Sequence, residues 1–309
     1  MSILCVGSVA LDSVETPFGK AERVLGGSAV YFSAAATQFS PVQVVGVVGS
    51  DYPFADLDFL AERGADLSGI EHADGDSFFW AGRYHYDLNT RDTLDTQLGV
   101  FADFQPKVPD AFRDTSNVFL GNIQPALQHD VLDQVTSPGI VACDTMNFWI
   151  EGNRKELVDL LGRVDILMVN DEEVRQLADE ANLLKAAKWV QERGPGTVVV
   201  KKGEHGAILF ADGWLFYVPG YPLEEVFDPT GAGDSFAGGF MGHLAAAGSL
   251  DPADMRRAMV YGSALGSFAC EQFSVDRLRD VSVPSIEARV EEFRRITAFE
   301  SQVTVEEHV

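Results

Sequence analysis

Strand-like and helix-like segments alternate along this chain from end to end, and that rhythm constrains the fold more than any other feature. Residues 3–9 form a short apolar run closed by turn residues, as a buried first strand requires. Residues 28–39 are rich in Ala at helical spacing, residues 42–48 are a β-branched run, and residues 54–63 read as a helix stopped by Gly64. Further strands are predicted at 118–120, 140–143, 166–169 and 197–200, and helices at 126–135, 154–161, 172–178 and 183–193. Each helix carries the chain back across a face, so successive strands run parallel. The predicted class is α/β: a doubly wound, mostly parallel sheet flanked by helices.

Two stretches break the rhythm. Residues 77–87 are dense in aromatics (Phe78, Phe79, Trp80, Tyr84, Tyr86) and read, with 89–97, as antiparallel strands. Together with residues 13–24 they predict a small β-lid, so that lid segments of about 13–25 and 76–98 are inserted in the chain. Residues 207–210 and 214–218 flank Ala211-Asp212-Gly213 as a hairpin. The last third is helical at about 232–247, 252–270 and 285–296, and the polar tail after Phe299 is expected to fray. No repeat or linker divides the chain, so one domain over 1–309 is expected.

A net charge of −24 argues against nucleic acid and anionic membranes as partners. The acidity reads first as a well-solvated surface, with adaptation to high salt, where screening relieves self-repulsion, as the alternative. No apolar run spans a bilayer, the start lacks signal-peptide character, and Cys5, Cys143 and Cys270 lie far apart as reduced thiols would; a cytoplasmic protein is expected.

The chemistry concentrates in Asp228-Pro229-Thr230-Gly231-Ala232-Gly233-Asp234, between a strand and an apolar helix. Small residues at Gly231, Ala232 and Gly233 let the backbone approach a ligand, and the first helical N–H groups form an anion site. That site suits charge developing on a transferring phosphoryl group, and Asp234 beside it suits proton removal from an attacking hydroxyl. Phe236 stands where a dinucleotide fingerprint needs its third glycine, and no P-loop lysine motif occurs.

This segment is similar to the C-terminal signature of the ribokinase-like (PfkB-type) carbohydrate kinases, and other landmarks follow in the family's order. Asp12 after Gly7 resembles the early substrate-contacting Asp, Gly26-Gly27 the di-glycine hinge, and Gly46-Val47-Val48-Gly49-Ser50-Asp51 the Val-Gly-x-Asp turn. Asn170-Asp171-Glu172-Glu173 resembles the Asn-x-x-Glu motif, and Gly203-Glu204-His205-Gly206 the Gly-x-x-Gly turn. The resemblance implies a ribokinase-like fold and a kinase moving the γ-phosphoryl group of ATP to a hydroxyl of a small carbohydrate or derivative. Asp234 is then the base, and Gly231, Ala232 and Gly233 the anion hole. Asp12, Gly26 and Gly27 meet substrate, and Asn170, Lys202, Gly203, Gly206 and Thr230 meet the nucleotide. Glu173 holds Mg²⁺ through water, and Asp228 is nominated for K⁺. Lys201 and Lys202 read as charge near phosphate or as solvated strand-end lysines.

The chain departs from the sugar-kinase pattern in one place: Tyr31 stands four residues after the di-glycine, where many members carry a sugar-binding Asn. Its ring reads as stacking on a base or sugar face, or as core packing. Asp144 and Asn147, after a strand end, are expected to line the substrate pocket. His85, Asn89 and Arg91 place polar groups in the lid. Nucleosides are the alternative substrate class, and a ligand-sensing protein on the same fold is the alternative outside catalysis. The partners expected are a small substrate and ATP, with a homodimer through the lid as a further reading.

Overall fold

The computed structural model describes residues 1–299; the tail expected to fray lies outside them. The elements begin with β1 (Ile3–Val6), β2 (Ala10–Thr16), β3 (Gly19–Gly26), α1 (Ser28–Ala36), β4 (Val42–Val48), α2 (Asp58–Glu62), β5 (Asp66–His72), β6 (Phe78–Tyr84) and β7 (Arg91–Gln97). There follow β8 (Asn117–Leu120), α3 (Pro125–Gln134), β9 (Ile140–Asp144), α4 (Asn147–Gly152), α5 (Arg154–Leu161), β10 (Ile166–Asn170), α6 (Asp171–Ala178), α7 (Leu183–Gln191) and β11 (Thr197–Lys201). The chain then forms β12 (Ala207–Ala211), β13 (Trp214–Val218), α8 (Ala232–Ala247), α9 (Pro252–Ala269), α10 (Asp276–Asp280) and α11 (Val283–Thr297).

The large sheet has nine strands in the order β13-β12-β11-β10-β9-β8-β1-β4-β5. The run from β11 to β5 is parallel, and β12 and β13 add an antiparallel edge. Both faces are apolar because the strand residues alternate between them. Ile3, Cys5, Val44, Met168 and Val199 face the core shared with α1, α8 and α9. Leu4, Val6, Val45, Leu167, Val198 and Val200 face the core shared with α3, α5 and α7. Helices therefore cover both faces, as the alternating pattern predicts.

The second sheet runs β3-β2-β6-β7. Its outer pairs are antiparallel as expected, but its central pair, β2 with β6, is parallel. The topology explains this. β2 follows β1 and β6 follows β5, both strands of the parallel run, so the chain enters the lid in the same sense each time. The expected first strand, 3–9, ends at Val6 because residues 7–9 turn toward the lid. The helix expected at 54–63 opens as a 3-10 turn, Phe54–Leu57, before α2. β5, α4 and α10 were not anticipated. β5 carries Gly69 and mostly surface positions, so it lacks the apolar run that marked the inner strands.

The carboxyl ends of β1, β9, β10 and β11 and the start of α8 meet beneath the lid, the place where open parallel sheets bind ligands. None of the described helices is long and apolar enough to cross a membrane. Cys5, Cys143 and Cys270 are free thiols.

Candidate active site

Gly231 caps α8 with φ 72° and ψ 0°, a left-handed conformation that glycine adopts without steric cost. The Ser235 N–H closes the first intrahelical bond on the Gly231 carbonyl at 2.8 Å, and the Ala232 N–H turns back to Pro229 at 3.2 Å. The N–H groups of Gly233 and Asp234 therefore precede the first intrahelical donor, Ser235, and make no intrahelical bond, with the positive end of the helix dipole behind them. Asp234 sits half-buried in this turn. Burial, then the nearby Asp144 carboxylate, push its carboxyl up to about 7, while Lys201 and Arg91 pull the other way. A carboxylate so shifted is tuned for general-base work near neutrality.

Asp228 staples the loop before α8. One oxygen accepts the Thr230 N–H at 2.9 Å, the other the Ser274 N–H at 3.2 Å, and the residue is 1% exposed. Any role toward K⁺ would share these same lone pairs.

Asp12 projects from β2 and is buried. Burial, then Asp228 and Asp234, push its carboxyl up to about 8. A Cβ on Gly26 would lie 2.1 Å from this carboxylate, so only glycine leaves room for it. Gly27, at φ 96°, turns the chain into α1, where Ser8 and Ser28 exchange main-chain N–H to hydroxyl bonds of 3.0 and 3.1 Å. Tyr31, one turn into α1, packs its ring against Gly231 and is 1% exposed, with a buried hydroxyl that has no partner among the described residues. It is therefore part of the wall behind the anion-hole loop. Tyr52, just past the Val-Gly-x-Asp turn, has a second buried, unpartnered hydroxyl within the field of Asp12; no sequence pattern singled it out.

At the end of β10, Asn170 caps α6. Its Oδ1 accepts the Glu173 N–H at 2.7 Å, while Glu173 Oε2 accepts the Asn170 N–H at 2.7 Å. Such a reciprocal cap stabilises a helix start by about 0.5–2 kcal/mol. It also fixes the buried Glu173 carboxylate, whose pKa burial and Asp144 raise. Among the described residues no hydrogen bond engages the other Glu173 oxygen, and no cluster of His, Cys, Asp or Glu forms a closed metal cage. That donor set fits Mg²⁺ held chiefly by phosphate oxygens and water.

Lys201, at the end of β11, donates to Asp144 Oδ2 at 2.6 Å, and a Cβ on Gly233 would lie 3.1 Å from its Nζ. Burial works to lower its pKa, but Asp144, Glu173 and Asp234 outweigh burial and raise it, so Lys201 stays charged. The structure thus brings Lys201 to the turn that opens α8. Lys202 leaves the strand half-exposed, with no ion pair among the described residues. Asp144 likewise stands with Lys201 and Asp234. Asn147 donates to the Gln176 side chain at 2.8 Å and ties α4 to α6. Gly203 and Gly206, at φ 56° and 89°, form the turn after β11.

The lid closes on these groups. Tyr84 of β6 accepts a hydrogen bond from Thr230 Oγ1 at 3.3 Å, and Asn89 lies so close that a Cβ on Gly203 would come within 2.3 Å of its Oδ1. His85 pairs with Asp92 at 3.0 Å, and Arg91, at the start of β7, acts electrostatically on both Asp234 and Glu173.

The pattern of pfkB family carbohydrate kinases matches residues 87–279. A cytidine kinase of Thermococcus kodakarensis is 26% identical over 247 residues, covering 78% of this chain and 87% of the relative. A nucleoside kinase of Methanothermobacter thermautotrophicus is 23% identical over 97% of this chain and 98% of its own. An E. coli protein provisionally named ribokinase II, solved with ATP and Mg²⁺, superposes with a TM-score of 0.77 at 20% identity, covering 94% of this chain and 99% of its own. With the ribokinase-like architecture and the ordered motifs, these likenesses place the chain in the pfkB family of carbohydrate kinases, phosphotransferases that use an alcohol group as acceptor.

Proposed function

We propose that this chain transfers the γ-phosphoryl group of ATP to a hydroxyl of a nucleoside, with Asp234 as the base. The observation that carries the reading is the position of Asp234. It lies in the first turn of α8, next to N–H groups that make no intrahelical bond, between Asp12 on one side and Lys201 with the Asn170–Glu173 cap on the other. Nucleosides are favoured over simple sugars because Tyr31 replaces the sugar-binding Asn, and because relatives along the chain are named cytidine kinase and nucleoside kinase.

Asp12 orients the acceptor, and Asp234 removes the proton of the attacking hydroxyl. As the new O–P bond forms, the bond to the ADP oxygen breaks, and charge gathers on the γ-phosphoryl oxygens facing the Gly233 and Asp234 N–H groups. Glu173 and Asn170 would hold the waters of Mg²⁺, which supplies charge neutralisation between the phosphates when bound. The closed lid excludes water, a competing acceptor. Two copies pairing along the exposed β7 edge are a further part of this proposal, checked by light scattering.

The test is ADP production from Mg-ATP across nucleosides and sugars, with Asp234→Asn as control. Turnover on nucleosides is expected, and the variant is expected to lose about 10²–10⁴-fold. Turnover confined to free sugars would reject the nucleoside, and near-normal turnover in the variant would reject the base.

A further inference from the structure

The pairing of β10 with β11 sets Asn170 opposite Lys201, and β9, on the other side of β10, ends two residues lower at Asp144 opposite Met168, so the Lys201 side chain reaches back across β10 to meet it. Three neighbouring strand ends thus deliver a cap, a cation and a carboxylate to the first turn of α8. The Lys201 side chain is 15% exposed and that of Asp144 5%. A second bond holds Asp144 in place, from the Thr145 N–H to Oδ1 at 2.7 Å. Among the described residues, Asp144 is the one hydrogen-bond partner of the Lys201 ammonium. Two of its three N–H donors are therefore unspent, and the group lies against Gly233 in the anion-hole turn.

A buried ammonium with spare donors is costly unless something completes its shell. The carboxylates of Asp144, Glu173 and Asp234 lie near enough to raise its pKa, yet only Asp144 is hydrogen-bonded to it among the described residues, so two donors lack an acceptor beside the Gly233 turn. Lys202 is half-exposed and Arg91 rides on the lid, so Lys201 is the cation fixed in the floor of the cleft.

Resting on the kinase reading above, we infer that Lys201 binds the transferring phosphoryl group directly, and that Asp144 is a positioning residue that holds Nζ at the anion-hole turn. The ammonium would complete the donor set made by the Gly233 and Asp234 N–H groups. It meets the γ-phosphoryl group and not the α- or β-phosphates, since it sits beside the base and not along the Gly203 turn.

The experiment compares Lys201→Met, Lys201→Arg and the double variant Lys201→Met with Asp144→Asn, which removes both charges of the buried pair. Affinities for a non-hydrolysable Mg-bound ATP analogue and for ADP are read by calorimetry, beside kcat. Loss of one such donor is expected to lower kcat about 10²–10³-fold. Analogue affinity should fall at least about tenfold while ADP affinity stays within about threefold, a split that a purely structural pair would not produce. Lys201→Arg keeps the charge and should recover part of the analogue affinity. Parallel loss of both ligands, or unchanged analogue affinity in the folded double variant, overturns the inference. Wild-type turnover separates the two levels. If wild type makes no ADP on any acceptor, the kinase reading fails, whereas the analogue-to-ADP split still decides the place of Lys201.

Discussion

Replacing Gly231 by Ala tests the anion-hole turn by steric means. The residue sits at φ 72°, and a Cβ there would lie 2.2–2.4 Å from Cγ, Cδ1 and Cδ2 of the Tyr31 ring. Tyr31 is 1% exposed, and its helix packs against α8, so the ring has nowhere to retreat. The left-handed conformation costs alanine about 1–2 kcal/mol. Forcing a methyl into a filled site adds about 1–3 kcal/mol. Gly231→Ala should therefore lose roughly 2–5 kcal/mol of stability, read as a shift of the urea midpoint at constant slope. Displacing the turn by a fraction of an ångström should also cut turnover by about 10²-fold.

The two contributions separate in a double-mutant cycle. Tyr31→Asn removes the ring and restores the residue that many sugar kinases of the family carry. In that background Gly231→Ala should cost only the backbone contribution, so the double variant should be more stable than additivity predicts by about 1–3 kcal/mol. Additivity within about 0.5 kcal/mol would refute the contact between ring and turn. A single-variant loss below about 1 kcal/mol would refute the strained backbone as well.

Asp234 must be ionised to accept a proton, and its raised pKa places the acid limb of kcat/KM at about 7, well above an ordinary aspartate; a limb near 4 would refute the shift. Glu173→Gln keeps an acceptor for the α6 cap but loses the charge, and should raise the Mg²⁺ concentration for half-maximal turnover by about 10–100-fold, read by Mg²⁺ titration. Asp12 is pushed up to about 8 in the fold, so it is protonated there while ionised in the unfolded chain between its ordinary pKa and that value. Its contribution to stability is full below the ordinary aspartate pKa and fades as pH rises to about 8, by at most about 1.4 kcal/mol per pH unit; Asp12→Asn should flatten that slope in urea titrations.

Where a segment's own chemistry dictates its structure, the sequence was a sufficient guide. α8 begins at the first small residue after Gly231, and α5 and β13 fall on their expected bounds because apolar period and turn residues agree there. β5 and the short helices α4 and α10 escaped because they owe their form to neighbours rather than to an internal pattern. The two adjacent lysines show the same limit within the site. Nothing local separates Lys201 from Lys202, yet the strand pleat does. Val199 faces the core of α1 and α8, so Lys201, two residues on, shares that face and reaches α8. Asp144 is expected to line the substrate pocket because ligands gather at strand ends. Its ion pair with Lys201, whose side chain reaches it across β10, follows from strand order and register, which one sequence does not contain.

A chain of net charge −24 must overcome its own field to take up a polyanion such as Mg-ATP. Two length scales resolve the conflict. At a distance the surface repels Mg-ATP, and this field extends about 8 Å at physiological ionic strength but only about 3 Å at 1 M. Close in, Lys201, Arg91 and the α8 N–H groups act at short range, and burial pushes the carboxyls of Asp12, Glu173 and Asp234 upward, to about 8, 7 and 7, which lessens the negative charge of the cleft near neutral pH. Salt therefore acts on the encounter more than on the bound state. The association rate of Mg-ATP, measured by stopped flow, should rise as KCl increases from 0.05 to about 0.5 M, while the dissociation rate changes little. A falling association rate would mean that the basic groups of the cleft dominate the long-range field, and the division between a repelling surface and an attracting floor would be wrong.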